Sequence, residues 1–342
     1  MVNLHHTQNR MSHCSVRLST LVCREGLAGS EDAVIRQTGR FDVISLRLVT
    51  RAVYRNHYDK INHSDHEMPA KKWDKKNNAA SGKRVNQEVK PASRVAVVTG
   101  GAMGIGAEVV ERLARIGHHV VIADRDEAAS AAMVARLQSQ QLSVMAIPID
   151  VSDSVQIATA FGVISNTLGR CDILVNCAGV AKVFPFVDFP LEEFERTMNI
   201  NVTGTLLCSQ HAARQMMHHQ WGRIINIASV AGMRAVGTGR TAYGTSKGAV
   251  IALTRQMAVE LAEYGITANA VAPGPVDTPM TQLLHTAQFR TEYSKAIPMN
   301  RYGTVSEIGA AVQFLASDDA AYITGIAMPV DGGFLSSGAR GL

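Results

Sequence analysis

From residue 94 onward the chain alternates short apolar runs with longer stretches of helical spacing. Runs rich in Val, Ile and Ala cover Val95–Thr99, His119–Ala123, Val144–Asp150, Ile173–Asn176, Gly222–Ile227, Thr267–Val271 and Ile326–Val330. Between them apolar positions recur at helical intervals over Ala107–Ile116, Ala128–Gln138, Leu191–Met217, Lys247–Tyr264 and Ser306–Ala316. Strands apolar on both faces and separated by helices predict a parallel sheet covered on both sides. Seven of them in one stretch predict an α/β fold: a doubly wound, seven-stranded parallel sheet in a single domain, residues 94–342. Right-handed crossovers put every strand's carboxyl end on one edge, where a ligand is expected.

Ahead of this lies a different texture. Residues 1–93 hold 16 Lys and Arg against 9 Asp and Glu, and the remainder holds 18 against 20. The net charge of +5 is thus +7 from a basic leader and −2 from the body, which removes the case for a nucleic-acid channel. The leader shows no sustained period and reads as a disordered tail. Met68 is an alternative start, and Arg10, Arg17 and Arg24, ahead of the first acid, resemble a transit peptide only faintly. A third reading makes the leader a basic arm for anionic partners. No apolar run is long enough for a membrane helix. Five cysteines without tight spacing suit a reducing compartment, so a cytoplasmic protein is expected. Cys171, Cys177 and Cys208 read as small core residues. The pairs His118–His119 and His218–His219 are adjacent, so their side chains diverge, and no metal site is expected.

Two clusters carry chemistry. The first strand runs into Gly100-Gly101-Ala102-Met103-Gly104-Ile105-Gly106, with a helix after it. Such glycines allow a sharp turn and a close approach to a pyrophosphate, which the helix N-terminus favours electrostatically. Asp124 follows Gly104 by 20 residues at the end of the second strand, as a dinucleotide site requires. Its carboxylate would bond the ribose hydroxyls and repel a 2′-phosphate, which favours NAD over NADP, although Arg125 could accept that phosphate. The second cluster is Tyr243 and Lys247, four apart and so on one helical face, with Ser229 14 residues earlier at the carboxyl end of a strand.

Together these resemble the short-chain dehydrogenase/reductase superfamily, whose Rossmann-like domain would cover residues 94 to about 333. Asn176-Cys177-Ala178-Gly179 is similar to the family's turn after the fourth strand, with Cys177 in place of a second Asn, so one sheet-stabilising hydrogen bond is in question. The resemblance implies that Asp150 and Val151 border the adenine ring. It also implies that Pro273, Gly274, Val276 and Thr278 hold the nicotinamide end, and that Asn201 is a fourth catalytic residue holding a water at a helix irregularity. It assigns Tyr243 as acid/base, Lys247 to the ribose, and Ser229 to the substrate oxygen. A free tyrosine titrates near about 10, and Lys247 together with the positive nicotinamide of the oxidised cofactor is expected to lower that value.

The implied reaction is hydride transfer between NAD(H) and a secondary alcohol or ketone. Alternatives are NADPH-dependent reduction of 3-oxoacyl thioesters and a non-catalytic dinucleotide-binding scaffold. The segment between Pro275 and Gly303 reads as a substrate lid, offering Met280, Leu283, Leu284, Phe289, Tyr293, Ile297 and Met299 to an apolar substrate, with Val230, Met233 and Val236 from the preceding loop. Arg234 and Arg240 could meet an anion. A homotetramer is expected from the resemblance, with Ala249, Ala252, Ala258 and Ala262 allowing close helix approach.

Overall fold

The structure, a computed structural model, describes residues 93–338. The readings made on residues 1–92 lie outside the described residues. Seven strands form one all-parallel sheet: β1 (Val95–Thr99), β2 (His119–Asp124), β3 (Val144–Pro148), β4 (Ile173–Asn176), β5 (Gly222–Ile227), β6 (Ile266–Pro273) and β7 (Ala327–Val330). Their order is β3-β2-β1-β4-β5-β6-β7. The expected doubly wound sheet is present.

Three helices cover each face. α1 (Gly104–Arg115), α2 (Glu127–Gln138) and α9 (Val305–Ala316) lie on one side, and α3 (Ser154–Leu168), α5 (Gly204–His219) and α6 (Thr241–Leu261) on the other. The two-residue strand period sorts the core. In β1, Ala96 and Val98 pack with Val109 and Leu113 of α1, while Val95 and Val97 pack with Phe161 and Ile164 of α3. Three shorter helices complete the set: α4 (Leu191–Met198), α7 (Pro279–Leu284) and α8 (Ala287–Ala296). Among the described residues no helix is long and apolar enough to cross a membrane.

Some element bounds differ from the pattern. β3 stops at Pro148, before the expected Asp150, and α6 begins at Thr241, ahead of the expected Lys247. α3 adds a helix between an Asp153 cap, whose Oδ1 accepts from the Val155 and Gln156 amides, and Gly169 in the left-handed region at φ 72°. The single helix expected over Leu191–Met217 is interrupted by a π-turn at Asn199–Thr203. There Gly204 passes close to Val151, where a Cβ would lie 2.6 Å from the Val151 carbonyl oxygen.

The strand order reverses between β1 and β4, whose last residues Thr99 and Asn176 lie side by side. Loops leaving the sheet there diverge and open a crevice. Thr99 ties them: its buried Oγ1 accepts from the amides of Cys177 (3.1 Å) and Ala178 (3.3 Å). Thr99→Val keeps the shape and leaves these amides without that acceptor. It should lower unfolding stability by about 1–3 kcal/mol, read from chemical denaturation midpoints.

Candidate active site

A cleft of about 390 Å³ opens along the carboxyl edge, from Asp124 and Asp150 at one end to Ser229, Tyr243 and Thr278 at the other. Its floor is the glycine turn. Gly100 (φ 63°) and Gly104 (φ 58°) adopt left-handed backbone, which admits glycine readily. Gly106 is excluded from bearing a side chain, since a Cβ would collide with the Gly100 carbonyl oxygen. Met103 precedes α1 with no side-chain cap, and the first turn of α1 carries no acid. The amides of that turn, beside Met103, Gly104 and Ile105 in the cleft wall, suit an anionic group such as a pyrophosphate.

Asp124 lines the cleft and also braces it. Its Oδ2 accepts from the Ala102 amide at 3.0 Å and its Oδ1 from the Asp126 amide at 3.0 Å. Arg125 is exposed beside it. Asp150 accepts from both the amide and the hydroxyl of Ser152 (2.9 and 2.6 Å), which holds its carboxyl below the usual range.

At the far end three expected residues converge. Ser229 follows β5 and caps the short turn Val230–Gly232, its Oγ accepting from the Ala231 amide at 3.1 Å. Tyr243, in the first turn of α6, lines the cleft together with Ser229. Lys247 lies one helical turn on, its Nζ 5.7 Å from the Tyr243 ring centre, and donates to the Ile227 carbonyl at 2.7 Å. Gly179 lies beside it: a Cβ there would stand 3.5 Å from Nζ, in ordinary contact, and 3.2 Å from Asn201 Oδ1. Burial pushes the Lys247 ammonium down to about 8. Burial pushes the Tyr243 phenol up, opposed by the Ser229 hydrogen bond and the Arg240 charge. The expected lowering of the phenol by Lys247 is therefore not met by this chain's own groups, because desolvation dominates.

Asn201 is buried in the π-turn and does not line the cleft. Its amide clamps the opposite wall, accepting from the Val180 amide (2.9 Å) and donating to the Val180 carbonyl (3.0 Å) and Ser246 Oγ (2.9 Å). Ser246 in turn donates to the Tyr243 carbonyl at 2.8 Å. Asn176, expected at the cofactor, is instead buried beneath it, donating to Ser209 (3.0 Å) and Asn226 (2.8 Å). That network does the sheet stitching left in question by Cys177. Gly101 and Gly106 likewise shape the turn without lining the cleft. The other expected cofactor residues, including Val151, Ala178, Pro273, Gly274 and Val276, do line it.

Cys171 and Cys208 are core residues as expected, but Cys177 lines the cleft, its thiol pushed up to about 11 by burial. Thr278 caps α7 through a reciprocal pair with Thr281. Of the expected lid residues only Met280 reaches the cleft. Leu283 and Met299 are exposed (86% and 65%), while Ile297 is buried with Val230, Tyr302 and Phe334. Val236 and Tyr293 pack on that same cluster. Composition cannot say which way each apolar side chain turns.

The residue the pattern missed is His285. It ends α7, where its amide donates to the Thr281 carbonyl at 2.9 Å, and it is buried between Arg240 and Tyr302. A single histidine following Leu283 and Leu284 in the lid segment, it carries no signal of its own. Burial first, then the Arg240 and Arg290 charges, push it down to about 4.

A glycine turn opening a helix at the reversal point of a parallel sheet, with a serine, a tyrosine and a lysine lining the far end of the same cleft, defines a dinucleotide-dependent oxidoreductase. Residues 100–335 match the family model described as Enoyl-(Acyl carrier protein) reductase. The 3-oxoacyl-(acyl-carrier-protein) reductase FabG of Aquifex aeolicus is 35% identical over 247 residues, 72% of this chain and 99% of that protein. The 3-oxoacyl-(acyl-carrier-protein) reductase MabA of Mycobacterium tuberculosis is 37% identical, over 70% of this chain and 92% of that one. A crystal structure of gluconate 5-dehydrogenase from Burkholderia cenocepacia, in complex with NADP and tartrate, matches with TM-score 0.69 at 34% identity, covering 72% of this chain and 96% of that one. The chain belongs to the short-chain dehydrogenase/reductase family.

His285 sets an acid limit. An unfolded histidine takes up a proton near 6.5, whereas the folded one stays neutral until about 4, so the unfolded state binds more protons between those values. Stability from this group is complete above pH 6.5 and is lost as pH falls toward 4. Relative to His285→Gln, the protein should lose up to about 3 kcal/mol across that window, measured by denaturation at stepped pH.

Proposed function

We propose that the protein transfers hydride between NAD(H) and a secondary alcohol or its ketone, with Tyr243 exchanging the proton. The observation that carries this reading is the convergence of Ser229, Tyr243 and Lys247 in the wall of one cleft that begins at Asp124, with Lys247 one helical turn from Tyr243. When bound, the nicotinamide supplies or accepts the hydride. Ser229 orients the substrate oxygen and donates to charge developing there. Tyr243 gives that oxygen a proton in reduction and takes one in oxidation. Burial holds the phenol above its ordinary range and so keeps it protonated, while Ser229 and the Arg240 charge oppose that rise. Lys247, anchored on the Ile227 carbonyl, directs its remaining donors into the cleft toward a ribose. Asn201 is a positioning residue, tying the Val180 wall to the start of α6 through Ser246.

Asp124 supports NAD as the partner, because a fixed carboxylate at the adenosine end repels a 2′-phosphate. The second reading, reduction of 3-oxoacyl thioesters with NADPH, draws on the reductases named above, on the NADP complex of the gluconate 5-dehydrogenase and on exposed Arg125. For assembly we propose a homotetramer through α5 and α6. Ala249, Ala252 and Ala262 remain accessible on α6 and just after it, whereas Ala258 is buried in the core and cannot contribute.

Tyr243→Phe should lower kcat by roughly 10²- to 10⁴-fold while the cofactor Kd stays near the parent value. Turnover surviving in that variant rejects the assignment. Steady-state rates with both cofactors test the adenosine end: kcat/KM should favour NAD, and Asp124→Ala should shift the ratio toward NADP by roughly tenfold or more. A preference for NADP with Asp124 intact supports the second reading instead.

A further inference from the structure

The lid side of the cleft carries an imbalance of charge. Arg234, Arg240 and Arg290 surround the cluster of His285, Tyr293, Tyr302 and Phe334. Arg290 is paired with Asp277 and lies over the Tyr302 ring. Arg234 lies over Phe334 at 5.1 Å, and Arg240 has a histidine as its side-chain partner. Among the described residues neither Arg234 nor Arg240 makes an ion pair with a carboxylate.

Arg240 is the better placed of the two. It is half-buried immediately before α6, its carbonyl accepting from the Gly244 amide at 2.8 Å, three residues from Tyr243. Its charge acts on Tyr243, Tyr293, Tyr302 and His285 together. Its orientation is fixed. A guanidinium only donates, so His285 Nε2 accepts from it at 2.8 Å, the ring proton sits on Nδ1, and Nδ1 donates to the Tyr302 hydroxyl at 3.0 Å. His285 is neutral in this environment, so it aims the guanidinium without cancelling its charge. An aspartate or glutamate in its place would aim and neutralise at once. Thr281, one turn before His285, lines the cleft, while Arg240 and His285 are not among its lining residues; Arg240 meets the site as the residue immediately before α6, three ahead of Tyr243.

We propose that Arg240 binds a carboxylate of the substrate, so that the secondary alcohol is a short hydroxy acid and the ketone the matching oxo acid. This rests on the hydride-transfer reading above and narrows it. In oxidation the carbinol C–H bond breaks, its electron pair passing to the oxidised nicotinamide; the hydroxyl proton goes to Tyr243 in its phenolate form, which becomes the phenol; the C=O bond forms and the carboxylate is unchanged. Arg240 caps the start of the helix that carries Tyr243, three residues ahead of it, so a short acid is the substrate proposed for it. The phosphate of a phosphopantetheine arm is too far along its chain to fill that place.

The test pairs each acid with an uncharged counterpart: lactate, 3-hydroxybutyrate and tartrate beside their methyl esters, and acetoacetyl-CoA beside the N-acetylcysteamine thioester. At least one acid should exceed its ester in kcat/KM by roughly 10- to 100-fold. Arg240→Gln should collapse that ratio, mainly through KM, and Arg240→Lys should restore part of it. Calorimetric binding of tartrate to the intact chain, lost in Arg240→Gln, gives a readout separate from turnover. Esters turned over as well as acids, or a ratio unmoved by Arg240→Gln, would overturn the inference while leaving hydride transfer standing. A dependence on Arg240 confined to the CoA pair would overturn it in favour of a phosphate. Tartrate bound through Arg240 with no hydride transfer from any alcohol would uphold the carboxylate site and sink the reaction.

Discussion

The cleft depends on a single joint. Where the sheet reverses its strand order, the loops after β1 and β4 leave in opposite directions, and the Thr99 hydroxyl holds both by accepting two amides of the β4 loop. The glycine turn is pinned on its other side by the Gly100 amide bonded to the Ala123 carbonyl and by Asp124 on the Ala102 amide. Backbone amides of the α1 turn therefore face the cleft in a fixed arrangement, which is what a preorganised anion site needs.

At the other end, burial and charge oppose each other. Tyr243 and Lys247 sit against the sheet rim, where desolvation disfavours both phenolate and ammonium. Ser229 and Arg240 work against that for the phenol, and the Ile227 carbonyl holds the ammonium in place. The site keeps its charged groups because each is tied to a partner on a rigid element: a strand end, the first turns of α6, or the π-turn that carries Asn201. Arg240 extends the pattern to the lid, where a neutral histidine orients a cation whose charge stays available.

Much of this was legible from the chain alone, for identifiable reasons. The central strands β1, β2, β4 and β5 follow from Val- and Ile-rich runs, since a strand buried on both faces needs apolar side chains, whereas the edge strand β7 (Ala-Met-Pro-Val) is only partly buried. The glycine turn and Asp124 are local, set by φ values and by a spacing along one βαβ unit. Tyr243 and Lys247 share a face because four residues make about one helical turn. The interruption at Asn199–Thr203 escaped the pattern, because a π-turn keeps helical periodicity on either side of it. The apolar lid misled for another reason: Leu283 and Ile297 look alike in composition, and one is exposed while the other is buried.

Residue order by itself thus determined the strands, the phosphate-binding turn with Asp124 and the shared face of Tyr243 and Lys247, because each depends on contacts within one element or one βαβ unit. The pairing of β1 with β4 that opens the cleft instead joins strands about 77 positions apart. Only the tertiary structure decided which of the marked residues face the cleft and which brace it. Asn176 and Asn201 went inward because partners 33 and 45 positions away, Ser209 and Ser246, were waiting in the core. His285 was drawn to Arg240, also 45 positions distant. Hydrogen bonds and desolvation at such separations are set by how layers stack, and no window of neighbouring residues contains that information.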